Sequence, residues 1–130
     1  MRGLILFAHG ARDPRWADPL HRLRERVALK VPGTPVNVAF LDIMEPGLPA
    51  AAAALVDAGC TGISIVPVFL GEGGHVRRDL AALVGALAER YPAIDLRCAP
   101  AVGEDESVLD ALASYCVAAL QGVAGGAPAA

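Results

Sequence analysis

The chain has 130 residues, enough for one domain with a real core, and at 55% hydrophobic and 19% charged it is neither disordered nor fibrous. Its net charge of -3 excludes general nucleic-acid binding, and an acidic substrate would be repelled unless arginines met it locally. Three widely spaced cysteines (Cys60, Cys98, Cys116) form no C-x-x-C pair, so no zinc or iron–sulfur site is signalled, and they read as small buried hydrophobes of a reducing, cytoplasmic compartment.

The apolar run Leu4–Ala8 reads as a buried strand. It ends at His9-Gly10-Ala11-Arg12-Asp13, too polar and too early for a signal-peptide cleavage region, and no stretch reaches the ~20 apolar residues of a membrane span. Asp18-Pro19 supplies an N-cap and a first-turn proline for a helix whose Leu20, Leu23, Val27 and Val31 fall on one face. Val36–Ile43 is a second strand. Pro46 and Pro49 open an alanine-rich helix that stops at Gly59.

Gly62–Leu70 is a third strand, running into the loop Gly71-Glu72-Gly73-Gly74. From His75 a helix carries Leu80, Leu83, Val84, Leu87 and Tyr91 on one stripe. Ile94–Cys98 is a short fourth strand. Asp105 caps a last helix expected to turn Val108, Leu109, Leu112, Cys116 and Leu120 inward. Residues 1–122 form one domain, and 123–130, rich in Gly, Ala and Pro, form a disordered tail. Strands apolar on both faces, alternating with helices, predict an α/β fold: an open, flavodoxin-like parallel sheet of four strands in the order 2-1-3-4, with helices on both faces.

In such sheets ligands bind beyond the carboxyl ends of the strands. Strands one and three, neighbours in this order, end near His9 and His75, and strand two ends near Asp42 and Glu45. Two histidines and a carboxylate are therefore expected on one rim, a donor set suited to Co²⁺, Fe²⁺, Ni²⁺ or Zn²⁺. Gly10, Gly71, Gly73 and Gly74 would let the backbone approach a large ligand. His75 lies at a helix start, where the dipole favours a neutral imidazole. His21, mid-helix among arginines, reads as an ordinary surface residue, and Arg12, Arg15, Arg77 and Arg78 read either as solvated charges or as anion partners. No P-loop and no dinucleotide fingerprint is present. A histidine-phosphatase reading fails because Ala8, not arginine, precedes His9.

Three segments resemble the class II sirohydrochlorin chelatases: Leu6–Pro14, Ala39–Pro46 and Val66–Asp79, the last with its G-x-H-V-x-x-D pattern. The likeness runs over about residues 3–120. It implies a chelatase half-domain that pairs with another, as a homodimer in short cobaltochelatases and by fusion in longer relatives. It implies ATP-independent insertion of Co²⁺ first, or Fe²⁺ or Ni²⁺, into sirohydrochlorin on the way to cobalamin, siroheme or a nickel cofactor, with no permanently bound cofactor. It makes His9 and His75 the metal-site histidines and catalytic pair, with Glu45 ahead of Asp42 as the acidic ligand and His75 as the favoured proton acceptor. Gly10, Arg12, Gly73, Gly74, Arg77 and Arg78 become the substrate-binding residues. Ala11 stands where the family usually has Ser, and Asp42 where it often has Glu. A metal or tetrapyrrole carrier without turnover would need the same ligands.

Overall fold

The computed structural model describes residues 1–123, so the expected tail lies outside the described residues apart from Val123. In chain order the elements are β1 (Arg2–Ala8), a 3-10 turn (Pro14–Ala17), α1 (Asp18–Lys30), β2 (Val36–Phe40), α2 (Leu48–Asp57), β3 (Gly62–Pro67), α3 (Gly74–Arg90), β4 (Asp95–Cys98), a second 3-10 turn (Val102–Glu104) and α4 (Glu106–Leu120). The four strands form one parallel sheet in the order β2-β1-β3-β4, as the sequence predicts. No helix of the described residues is long and apolar enough to cross a membrane.

β1 alternates its side chains between two cores, as strand geometry requires. Ile5 and Phe7, with Ala39, Ile63 and Ile65 of the neighbouring strands, meet Leu48, Ala52 and Leu55 of α2 and Leu80 and Leu87 of α3. Leu6 and Ala8, with Val36, Val38 and Phe40, meet Ala17 and Leu20 at the start of α1. One face therefore carries α2 and α3, and the other carries α1. β4 is an edge strand with charged, exposed Asp95 and Arg97, which discourages further strand pairing. Arg2 on β1 reaches across β3, to the Ser64 hydroxyl and on to Asp95 of β4.

Several boundaries differ from the sequence reading. β2 stops at Phe40, because the chain there bridges to Gly47 and Ile43 adopts a left-handed φ of 69°. β3 stops at Pro67, which has no N–H for the ladder. Asp18 is the first residue of α1 and not its cap: Asp13 caps the preceding 3-10 turn, and that turn feeds α1 directly. Leu23 and Val31 of α1 are exposed. Gly59 does end α2, at φ 95°, and Asp105 does cap α4, its side chain accepting from the Val108 N–H at 3.2 Å.

The largest correction concerns α4. None of its residues is buried among the described residues, and of the expected inward set only Val108 is even half-buried. Leu109, Leu112, Tyr115, Val117 and Leu120 face solvent, Leu120 at 87% exposure. Exposed Cys98 and Cys116 likewise correct the buried-hydrophobe reading, which holds for Cys60 alone.

Gly103 locks the turn after β4 against the loop after β3. Its N–H donates to the Phe69 carbonyl at 3.2 Å, and a Cβ there would lie 1.7 Å from the Leu70 carbonyl oxygen. Gly85, on the exposed side of α3, has open space around it. Gly103→Ala should therefore lose about 1–3 kcal/mol of stability by forcing backbone apart. Gly85→Ala should gain about 0.5–1 kcal/mol by restricting the unfolded chain. Urea titrations of both variants check the pair, and equal midpoints would refute the packing described for Gly103.

Candidate metal and tetrapyrrole site

The parallel ladder delivers the ends of β1, β2 and β3 to one edge of the sheet. His9 follows β1 and is half-buried, its ring packed on Phe69 with centroids 4.7 Å apart. The backbone holds it from the β2 side: Asp42 N–H donates to the His9 carbonyl at 3.2 Å, and Leu41 N–H to the Ala8 carbonyl at 2.8 Å. Gly10 then turns at φ 96°, where a Cβ would sit 2.1 Å from the Asp42 carbonyl oxygen. Glycine is needed here twice over, for the dihedral and for the close approach.

His75 enters from β3 through the glycine loop. Gly73 is the N-cap position of α3 and has no side chain to cap with, so the first N–H groups of the helix are left open at the rim. The His75 side chain is 82% exposed, and its Nε2 lies 3.3 Å from Asp79 Oδ2 one turn on. That contact orients the ring and leaves Nδ1 as the free nitrogen when Nε2 carries the proton. A Cβ added at Gly74 would come 3.4 Å from the Arg78 guanidinium, whereas one at Gly73 would meet open space.

The carboxylates behave differently from the sequence reading. Asp42 and Glu45 are both exposed on the turn after β2. Among the described residues, no three His, Cys, Asp or Glu side chains cluster so as to hold a metal ion. His9, His75 and Glu45 follow the ends of neighbouring strands, and Glu45 stands on an exposed turn.

The arginines separate into two groups. Arg12 and Arg78 are exposed and form no ion pair among the described residues. Arg77 is engaged: its Nε lies 3.5 Å from Glu72 Oε1, and the Glu72 side chain is only 13% exposed. Arg15 serves its own loop, bonding Asp13 at 2.8 Å and holding that carboxyl below its usual range. His21 is exposed, its ring edge-on to Phe40. Cys98 lies on the α3 side of the sheet near Glu72, where burial and then the Glu72 charge push its thiol pKa up.

Sequence reasoning gave no role to Phe69, Glu72 or Gly103, and saw Asp79 only as the last residue of the G-x-H-V-x-x-D pattern and a first-turn carboxylate. Phe69 looked like one more strand residue, and Glu72 like a loop charge. The i, i+4 spacing of His75 and Asp79 was the one signal available.

A family model described as CbiX matches residues 3–118. The chain is 32% identical over 91 residues to a sirohydrochlorin cobaltochelatase of Methanocaldococcus jannaschii, covering 70% of this chain and 64% of that protein. It is 28% identical over 112 residues to a sirohydrochlorin ferrochelatase of Priestia megaterium, covering 86% of this chain and 42% of that protein. The match therefore spans less than two thirds of either relative's own length. Among solved structures, a protein described as CbiX from Marinobacter aquaeolei superimposes with a TM-score of 0.82 at 25% identity, over 93% of this chain and 98% of that one.

Two glycine variants test the rim's construction. Gly10→Ala should cost roughly 2–4 kcal/mol, the sum of left-handed strain and overpacking against Asp42. Gly73→Ala should melt within a degree or two of wild type, since its φ is -72° and nothing crowds it. Thermal melts of both decide whether the two glycines serve different purposes.

Proposed function

We propose that this chain, which belongs to the CbiX family, inserts a divalent metal into sirohydrochlorin without ATP, with Co²⁺ as the leading metal and Fe²⁺ or Ni²⁺ as alternatives. The observation that carries the reading is the rim itself. His9 follows β1, and His75 opens α3 after the neighbouring strand β3, beside backbone left open at Gly71 and Gly73. A flat macrocycle can approach such backbone closely, and the ring faces two imidazoles.

The chemistry asks for little else. One M²⁺ enters, two pyrrole N–H protons leave, and no electron or phosphoryl group moves. His9 and His75 present the metal, which is substrate here, over the macrocycle face, with water or Glu45 filling the remaining positions. His75 takes a pyrrole proton on the nitrogen that Asp79 does not hold. Arg12 and Arg78 meet the carboxylates of the macrocycle with planar, bidentate guanidinium groups. Arg77 contributes less, because Glu72 already occupies it. One domain offers only half a cleft for so large a ring, so we place the reaction in a cytoplasmic homodimer.

His9→Ala and His75→Ala should each lower the insertion rate by roughly 10²–10⁴-fold, and the double variant should be little worse than the poorer single one. His21→Ala should turn over normally, and all should melt like wild type. Absorbance of sirohydrochlorin with Co²⁺, Fe²⁺ and Ni²⁺ in turn gives the rates and the preferred metal. Uptake that stops at one equivalent per site would replace the enzyme with a carrier.

Arg12→Ala and Arg78→Ala should raise the KM for sirohydrochlorin several-fold at unchanged kcat, with Arg77→Ala affecting it less. Steady-state kinetics at low and high salt test that order, and unchanged KM in all three would make these residues solvated charges only. Light scattering should give about twice the 13.3 kDa chain mass.

A further inference from the structure

The two rim histidines are held by different means. His75 has a polar anchor, its Nε2 lying 3.3 Å from the Asp79 carboxylate. His9 has none: among the described residues, neither nitrogen of its ring makes a hydrogen bond. A histidine that binds metal is ordinarily oriented by a hydrogen bond from its second nitrogen. At His9 that task falls to packing.

The sheet supplies the packing partner. β1 and β3 run parallel with Phe7 opposite Pro67. The Val68 N–H carries the ladder on, donating to the Phe7 carbonyl at 2.7 Å. Two residues beyond Phe7, the same register sets His9 beside Phe69. The strand period puts Phe7 and His9 on one face, and Phe69 meets both. Its ring centroid lies 6.5 Å from that of Phe7, at 66°, and 4.7 Å from that of the imidazole, at 41°.

Phe7 is fully buried, so this aromatic chain is rooted in the core and ends at the rim. Phe69 is also held through its backbone. Its carbonyl accepts from the Gly103 N–H at 3.2 Å, in the turn after β4. β1 thus fixes the residue before Phe69, and the second 3-10 turn fixes Phe69 itself. Packing of this kind restrains an imidazole without occupying a nitrogen. A hydrogen bond would have taken one of the two, as Asp79 does at His75.

We propose that Phe69 is the positioning residue for His9: its ring, rooted on Phe7 and pinned through Gly103, fixes the imidazole that presents the metal. This deepens the metal-insertion reading above and rests on it.

The chain has three histidines, so its imidazole C–H signals are few, and His→Ala variants assign them. In the ¹³C–¹H spectrum of the full chain, Phe69→Leu should move the His9 ring signals by removing the Phe69 ring current. Those of His21 and His75 should stay in place. Phe69→Leu and Phe69→Met should each weaken Co²⁺ binding to the chain, measured by calorimetry without tetrapyrrole, by about 10–100-fold. They should lower kcat for insertion by a similar factor and leave the KM for sirohydrochlorin near wild type. Phe69→Tyr keeps the ring and should restore both affinity and kcat. In a His9→Ala background, Phe69→Leu should cost nothing further, because a residue that acts through another is lost with it. A thermal melt of each variant separates unfolding from these effects. Unmoved His9 signals in folded Phe69→Leu, or wild-type Co²⁺ affinity and kcat in both ring-free variants, would overturn the role. So would a Phe69→Tyr as poor as Phe69→Leu, or an equal further loss in the His9→Ala background. A wild type that neither binds Co²⁺ nor metallates sirohydrochlorin sinks the chelatase reading and this role with it, whereas a working enzyme indifferent to Phe69→Leu sinks the role alone.

Discussion

β1 is hydrogen-bonded along both edges, to β2 through Leu4–Ala8 and to β3 through Arg2–Phe7. That double pairing holds the rim in place. Because both ladders are parallel, three strands leave the sheet on the same side, and their loops must share one edge. Because side chains alternate, a slip of one residue would exchange the two cores and turn His9 to the other face. The pairing continues past the strands: Val68 N–H donates to the Phe7 carbonyl at 2.7 Å, and Leu41 N–H to the Ala8 carbonyl. Residues just before and after the last ladder bond are thus as fixed as the strands themselves.

Much of this architecture was legible in the sequence. Continuous apolar runs such as Leu4–Ala8 and Ile65–Phe69 have no polar face, and that property alone called for helices on both sides of a parallel sheet. Gly59, Asp105 and the stripe Leu80–Leu87 were read correctly because each carries a local physical signature. Strand ends were less legible. The apolar pattern of Val36–Ile43 continues past Phe40, but the turn that ends the strand depends on a backbone bridge to Gly47 that composition does not encode. The expectation for α4 failed for a different reason. Periodicity says that a helix has an apolar face and is silent about what covers it.

At the site, topology was legible and distance was not. Strand order brings His9 and His75 to one edge, yet whether Glu45 reaches inward depends on a turn with a left-handed Ile43 that no motif foretells. The pairing of Arg77 with half-hidden Glu72 was equally invisible. Of the three candidate arginines, two keep their charge available and one is spent internally. The favourable field at the rim comes from Arg12, Arg78 and the open N–H groups where α3 begins.

Cys98 gives this arrangement a last chemical consequence. Its thiol sits at the end of β4 within the influence of Glu72, and both burial and that carboxylate favour the protonated form. A protonated thiol is a poor ligand for a borderline metal and a slow nucleophile toward oxidants. Held in that form, Cys98 adds no thiolate charge beside the Glu72 carboxylate. Glu72 thus acts on two neighbours at once, pairing with Arg77 and holding the Cys98 thiol toward its protonated form.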